Sequence, residues 1–352
     1  MKILLTGAHF TPAVAVIEQL KKYPDTRIVY VGRQTTQEGD FTQSVESQII
    51  PELGVKFIPI ITGRFQREFT RYTLLSLLKI PVGILQSLYI ILNEKPDAIL
   101  SFGGYVAVPI VVMGWLFSIP IMVHEQTLVS GLANKISSYF TDKMAVSFLS
   151  KNPKAILTGN PIRRKIISTK LIKHEGTNIL ILGGNQGSHI INLAVEKSLG
   201  KLTSLGKIIH VTGENKYKDF ERLRKKQTDK YVVKKWVGDE LAKILSKTDL
   251  VICRAGINTL TELSYLGLPA VVIPIPYIFN DEQNKNAEYF KDLGLVQILP
   301  QSRLSASSLL MSIKLMLKDL PNLKKQSIKS KHAIIPDSAK RLALETIIIA
   351  IK

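Results

Sequence analysis

Short apolar runs alternate with amphipathic stretches along this chain. Lys2–Thr6, Arg27–Val31 and Val55–Ile60 are apolar segments bounded by polar or glycine residues, and each reads as a buried strand. After the first, Gly7-Ala8-His9-Phe10 forms a turn; Thr11 then reads as a helix cap with Pro12 at the first helical position, the helix running to about Tyr23. A long apolar helical segment follows from Phe69 to Asn93, interrupted at Pro81. Ala98 to Val123 has no charged residue and is long enough to cross a bilayer. Gly103, Gly104, Pro109 and Pro120 divide it, however, into strand (AILSFGG), helix (VPIVVMGWLF) and strand (IPIMVHE). Parallel strands covered on both faces have this composition. A further helix is expected from about Leu132 to Phe140.

The pattern restarts at Asn178, where NILILGGNQGSHIINLAVEKSL repeats the order strand, glycine turn, helix. Two such openings predict an α/β chain of two nucleotide-fold domains, each with a parallel sheet. The break is expected at Thr158-Gly159-Asn160-Pro161, giving domains 1–160 and 161–337. The last helix, Ser338 to Ile351, is apolar on one side and is expected to pack back on the first domain.

Composition narrows the class. At 352 residues the chain exceeds what one core usually supports. Its single cysteine excludes a disulfide framework and fits a reducing compartment, and Met1-Lys2 leads straight into a strand with no signal peptide in view. Cys253 reads as a small buried residue. Net charge is +19, concentrated in the second half: residues 1–160 hold 15 basic and 11 acidic residues, the remainder 32 and 17. Such an excess suits an anionic substrate, anionic lipid or nucleic acid. No nucleic-acid-binding motif is present, and nucleic acid is not an expected partner.

Cys253 to Ala287 (CRAGINTLTELSYLGLPAVVIPIPYIFNDEQNKNA) reads as strand end, turn, helix, buried strand and polar loop. Open α/β sheets bind ligands at strand carboxyl ends, so Glu262 and Gln283 would face one crevice, with hydrogen-bonding capacity for hydroxyl-rich ligands. Thr259-Leu-Thr-Glu262 equally fits a capping box, which would turn the same carboxylate to the backbone. Gly183-Gly184-Asn185-Gln186-Gly187 opens a helix whose N-terminus favours a phosphate. The acidic residue of a dinucleotide fingerprint is missing: the second strands end in Val211-Thr212-Gly213 and Gly32-Arg33. His9, at a strand end before a helix, is a surface histidine or a general base. His124-Glu125 does not continue as H-E-x-x-H, and no cluster has metal-ligand spacing. Residues 69–92 are apolar on nearly every side and flanked by Arg64, Arg67, Arg71 and Lys79, a composition suited to a membrane surface.

Taken in order, TGAHFTPAVAV, SFGGYVAVPIV, IPIMVHEQ, GLANK, VSF, TGNPIRR, ILGGNQGS, VICRAGINTLTELSYLGLPAVVIPIP and DEQNKNA resemble the MurG family of glycosyltransferases over nearly the whole length. The resemblance implies a GT-B fold, two Rossmann-like domains facing a cleft. It implies inverting transfer of N-acetylglucosamine from UDP-GlcNAc to the muramyl 4-hydroxyl of lipid I, with no metal or cofactor, at the cytoplasmic face of the cell membrane. By motif position, His9 would be the base, on a loop of Thr6, Gly7 and Ala8. Thr127 and Asn134 would bind substrate; Glu262 would hold the ribose, Gln283 the GlcNAc hydroxyls and Val237 the uracil. Arg163 and Asn185 would flank the diphosphate, and Ile257, Asn258, Thr259, Leu260 and Thr261 would complete the pocket. The chain departs from the family pattern at Ala8 (usually Gly), Thr127 (usually Asn) and Asn185 (often Ser). Other UDP-sugar enzymes of the same fold, such as a glycolipid synthase or epimerase, an NADP-dependent oxidoreductase and a membrane-associated binding protein are the competing readings.

Overall fold

The computed structural model describes residues 1–35, 44–63, 71–184, 187–238 and 240–351, without the side chains of residues 71–77 and 279. In chain order its main elements are β1 (Lys2–Thr6), α1 (Phe10–Leu20), β2 (Arg27–Gly32), α2 (Val45–Glu52), β3 (Lys56–Pro59), α3 (Arg71–Glu94), β4 (Ala98–Ser101), α4 (Ala107–Leu116), β5 (Ile121–Glu125), α5 (Leu132–Tyr139), β6 (Lys143–Val146) and β7 (Ala155–Leu157). They continue with α6 (Arg164–Ile167), β8 (Asn178–Leu182), α7 (His189–Thr203), β9 (Lys207–Val211), α8 (Asp219–Arg224), β10 (Tyr231–Lys234), α9 (Glu240–Leu245), β11 (Leu250–Cys253), α10 (Ile257–Leu266), β12 (Ala270–Val272), α11 (Glu282–Asp292), β13 (Val296–Ile298), α12 (Ala306–Lys318), α13 (Leu320–His332) and α14 (Ser338–Ile351).

Two compact units result, Met1–Arg163 with Ile335–Lys352, and Arg164–Ile334. In the first, described strands form a parallel sheet of order β3-β2-β1-β4-β5-β6-β7; in the second the order is β10-β9-β8-β11-β12-β13. In each, the order reverses beside the first strand, at β1/β4 and β8/β11, and this switch point is where open α/β sheets form a ligand crevice. The central strands are buried on both faces: Ile3, Leu4, Leu5, Ile99 and Leu100 are fully enclosed in one unit, and Leu180, Ile181, Val251 and Ile252 in the other. α14 returns to the first unit, where Ala339, Leu342, Ala343 and Ile347 join the core formed by Ala13, Ile17 and Leu20.

Two local expectations are corrected. α1 starts at Phe10, with His9 rather than Thr11 as its N-cap. Pro12 therefore sits third in the helix, still within the first turn, where its missing N–H breaks no helical bond. α3 runs unbroken past Pro81. Pro81 is exposed, whereas Gly83, Ser87, Ile90 and Ile91 beyond it are buried, so packing of that face holds the helix together across the missing bond. The apolar run 98–123 is β4, α4 and β5, and no helix among the described residues is long and apolar enough to cross a membrane.

Candidate active site

In the first unit the turns after β1 and β4 meet. Ala8 N donates to Gly103 O (2.9 Å), Phe102 N to Thr6 O (2.7 Å), and the Tyr30 hydroxyl to Gly7 O (2.9 Å). Gly7 adopts φ +139°, and a Cβ there would come within 2.8 Å of the Phe102 backbone, so this approach of two turns requires glycine. Ala8 is accommodated by its neighbour: a Cβ at Gly104 would lie 2.6 Å from the Ala8 methyl. That methyl is thus directed at the β4–α4 turn.

His9 follows on this loop, half-buried and with no capping hydrogen bond from its side chain. Burial, reinforced by the Arg33 charge, pushes its imidazole down to about 4. It is neutral at physiological pH, the form a general base needs, while the same burial makes it a weaker base than a free imidazole. Arg33 is held by Glu46, Nε to Oε1 at 2.9 Å. His124 is buried, within 3.3 Å of both Gly159 O and Ser147 Oγ, and is likewise held down to about 4, chiefly by burial.

Glu125, unassigned by sequence reasoning, organises the loop after β5. Its Oε1 accepts from Thr127 N (3.0 Å) and the Thr127 hydroxyl (2.8 Å), and its Oε2 accepts from Asn134 Nδ2 (2.9 Å). Thr127 is thereby turned into its own loop, whereas the Oδ1 of buried Asn134 has no partner among the described residues. The buried Thr6 Oγ1 and Gln126 Oε1 are in the same position. Unpartnered buried acceptors and hydroxyls are uncommon in folded proteins; Thr6 ends β1, Gln126 follows β5, and Asn134 lies in the first turn of α5.

In the second unit the crevice lies between the β8–α7 and β11–α10 turns. Gly187 has φ +74° and backs directly on Thr212 O, leaving no room for a side chain. Ser188 caps α7 without using its hydroxyl for the helix; that hydroxyl accepts from Arg254 Nη2 at 2.7 Å. Arg254 Nη1 donates to Ile273 O (3.0 Å), and its buried Nε has no partner among the described residues. No described carboxylate pairs with this guanidinium, and burial lowers it to about 10. It stands at the starts of α7 and α10, whose first turns present N–H groups and positive dipole ends. A guanidinium without a counter-ion among the described residues, beside two helix N-termini, is suited to an anion. The signal available in sequence was a basic residue ending β11, at the switch point of a sheet whose first turn is glycine-rich.

α10 is capped by Gly256, which has no side chain, so Glu262 lies in the second turn, six residues past the cap. The capping-box reading is overturned: Thr259 is already helical, and a carboxylate at Glu262 is beyond reach of the cap N–H. Glu262, Ile257, Leu260 and Thr261 are buried, with the Thr261 hydroxyl donating back to Ile257 O (2.8 Å); Asn258 and Thr259 are partly exposed. α10 packs against α11, whose Gln283 Oε1 accepts from Ile275 N at 2.9 Å. Asn286 Nδ2 donates to Ala255 O (3.2 Å), leaving its buried Oδ1 without a described partner. The loop before α11 holds Tyr277, Asn280 and Asp281 at positive φ (63°, 52° and 56°). Strain of this kind costs about 1–3 kcal/mol per residue and clusters at functional loops. Val237 is buried beyond β10, half-buried Arg163 is the last residue of its segment of the first unit, and Asn185 lies outside the described residues. Cys253 is buried, its thiol pushed up to about 12 by burial, as befits a packing residue.

Residues 6–146 match the glycosyltransferase family 28 N-terminal domain, and residues 178–342 its C-terminal domain. The chain belongs to glycosyltransferase family 28. Among its family 28 relatives is the UDP-N-acetylglucosamine--N-acetylmuramyl-(pentapeptide) pyrophosphoryl-undecaprenol N-acetylglucosamine transferase of Bacillus cytotoxicus, 32% identical and covering 97% of both chains. The enzyme of the same name from Leuconostoc mesenteroides is 30% identical with the same coverage. In fold, the chain is similar to the crystal structure of Acinetobacter baumannii MurG (TM-score 0.74, 24% identity, 98% of this chain and 99% of the other). A UDP-GlcNAc 2-epimerase from Neisseria meningitidis is similar over 99% and 100% of the two chains, at TM-score 0.65 and 16% identity. The family 28 chain is thus a glycosyltransferase of the GT-B class, with two parallel-sheet units.

Proposed function

We propose that this family 28 enzyme transfers N-acetylglucosamine from UDP-GlcNAc to the muramyl 4-hydroxyl of lipid I, forming lipid II with inversion, as a peripheral protein at the cytoplasmic face of the cell membrane. The observation that carries the reading is Arg254, a half-buried guanidinium with no carboxylate partner among the described residues, between the starts of α7 and α10. A leaving diphosphate supplies the missing charge, and donors fixed in advance stabilise it as it departs. Buried Glu262 and the Gln283 amide on adjoining helices suit the ribose and sugar hydroxyls of the donor; by motif position Val237 is assigned to the base and Arg163 and Asn185 to the diphosphate.

In the first unit, neutral His9 accepts the proton of the acceptor 4-hydroxyl. The oxygen attacks the anomeric carbon from the face opposite UDP, the bond to the β-phosphate oxygen breaks, and UDP leaves with that electron pair. Thr6, Gly7 and Ala8 shape the acceptor loop, which is fixed to the β4–α4 turn by the Ala8 N–Gly103 O and Phe102 N–Thr6 O bonds. Thr127, tied to Glu125, orders that loop. Peripheral attachment is supported by α3, where Leu78, Val82, Leu85 and Tyr89 form an exposed stripe, and by exposed Trp115, Leu116 and Phe117 at the end of α4, which packs on α3.

The test is product formation from UDP-GlcNAc and a lipid I analogue. Disaccharide product with release of UDP is expected; no transfer to that acceptor, with transfer to another or epimerisation of UDP-GlcNAc alone, overturns the proposal. UDP is expected to raise the melting temperature and NADP to leave it unchanged.

A further inference from the structure

The second unit carries a groove away from its ligand crevice. α7 and α12 flank a cavity of about 950 Å³, which begins at Lys197, roughly 12 Å along α7 from its first residue. Lys197 and Lys201 line it from α7, and Lys314 and Lys318 line it from α12 together with Leu310, Met311 and Leu315 of the same helix. All four lysines are exposed, none has an ion-pair partner among the described residues, and no carboxylate lines the groove. The one acid on α7, Glu196, is already paired with Arg222 and Lys226 on the neighbouring segment. Met311 is 64% exposed and Leu315 49%, unusual for apolar side chains inside a concavity.

Gly200 is an independent indication. It lies within α7 and lines the groove, and a Cβ there would meet nothing within 4 Å. Glycine in a helix costs up to about 1 kcal/mol relative to alanine, and no packing inside this protein requires it. Its effect is to keep one wall clear for something that approaches α7 closely.

We propose that this groove receives an acidic amphipathic helix of a partner protein, its apolar face on Leu310, Met311 and Leu315 and its carboxylates on the four lysines. The charge is complementary to an acidic partner, and lysines on two helices beside the apolar residues of α12 suit an amphipathic helix laid in the groove, with the exposed methionine adapting to the partner surface. A bilayer fits less well, because the lysines line a recess between two helices rather than a flat face.

The probe is a fluorescein-labelled peptide about 18 residues long, roughly five helical turns, with leucine at i, i+3, i+4 and i+7 and glutamate on the flanks. Fluorescence anisotropy should show saturable binding to the full chain. Affinity should fall at least about tenfold in Lys314→Glu/Lys318→Glu, as for loss of paired interfacial charges. A similar loss is expected in Gly200→Leu, which keeps every charge and only fills the groove, and for a peptide whose leucines are scattered around the helix. Met311→Glu, at an exposed position, is the second variant should Gly200→Leu fail to fold by circular dichroism. Equal binding to all variants overturns the proposal, as does absent peptide binding. Tighter lysine-dependent binding of phosphatidylglycerol vesicles or duplex DNA overturns it in favour of a lipid or nucleic-acid surface.

Discussion

Replacing Arg254 with methionine separates a binding role from a structural one. The substitution keeps most of the side-chain volume and removes the charge. Burial lowers this partly exposed guanidinium from 12.5 to about 10, so holding it charged in the free protein costs at most about 3 kcal/mol at 1.36 kcal/mol per unit, and less once solvent screens it. Its two hydrogen bonds, to Ile273 O and Ser188 Oγ, return about 1.5–3 kcal/mol each, as bonds to a charged group do. These terms nearly cancel, and Arg254→Met should change the free energy of unfolding by no more than about 2–3 kcal/mol in urea titrations. UDP affinity, by contrast, should fall about 10- to 100-fold by calorimetry, equivalent to losing one charge-assisted contact of about 1.5–3 kcal/mol. Arg254→Lys retains charge without the fork and should lie between. Unchanged UDP affinity, or destabilisation well beyond that range, would refute the reasoning and make the arginine a brace between β11 and α7.

Other consequences are equally direct. His9→Ala should abolish turnover while sparing UDP binding; unchanged turnover removes His9 from the mechanism. Glu262→Gln should weaken UDP binding by about tenfold, the value of one hydrogen bond to a charged group, with little loss of helix stability because Glu262 lies past the first turn of α10; a fall in melting temperature without loss of affinity would contradict this. Buried His210, whose Nδ1 lies 2.8 Å from the Tyr231 hydroxyl and Nε2 3.0 Å from Asn192 Oδ1, is held down to about 3 by burial. Its folded value lies below the unfolded 6.5, so its contribution is present above pH 6.5 and lost as pH falls toward 3. Between pH 7 and 5 that is about 2 kcal/mol per such histidine, and His210→Gln should flatten the pH dependence of unfolding by that amount. Leu78→Glu with Leu85→Glu, both on the exposed stripe of α3, should release the protein from anionic vesicles, and full retention would exclude this surface; Leu75, in the same segment, lies outside the described side chains.

Much of the fold was legible because its signals are local. Buried parallel strands announce themselves as short apolar runs, glycine turns mark their carboxyl ends, and the second βα opening at Asn178 reveals a second sheet. The motifs of the first and second units also pointed to the family. Helix boundaries were less certain where local rules compete: Thr11 and Thr259 are good caps by composition, yet the chain leaves the strands early enough that His9 and Gly256 take those places. Pro81 would end an isolated helix, but burial of the face beyond it carries α3 through.

The sequence by itself determined two nucleotide-fold units, their order of elements, and the crevice residues that lie beside recognisable turns. Only the tertiary structure decided the interactions that couple distant segments. Arg254 and Ser188 are 66 residues apart and meet because β8 and β11 are neighbours at the switch point. Glu125 becomes the organiser of its loop only once α5 brings Asn134 against it. The lysines of α7 and α12 become one groove only when those helices pack side by side. The physical reason is the same in each case: hydrophobic periodicity specifies which face of an element is buried, whereas the polar groups that meet at its ends depend on strand order and packing.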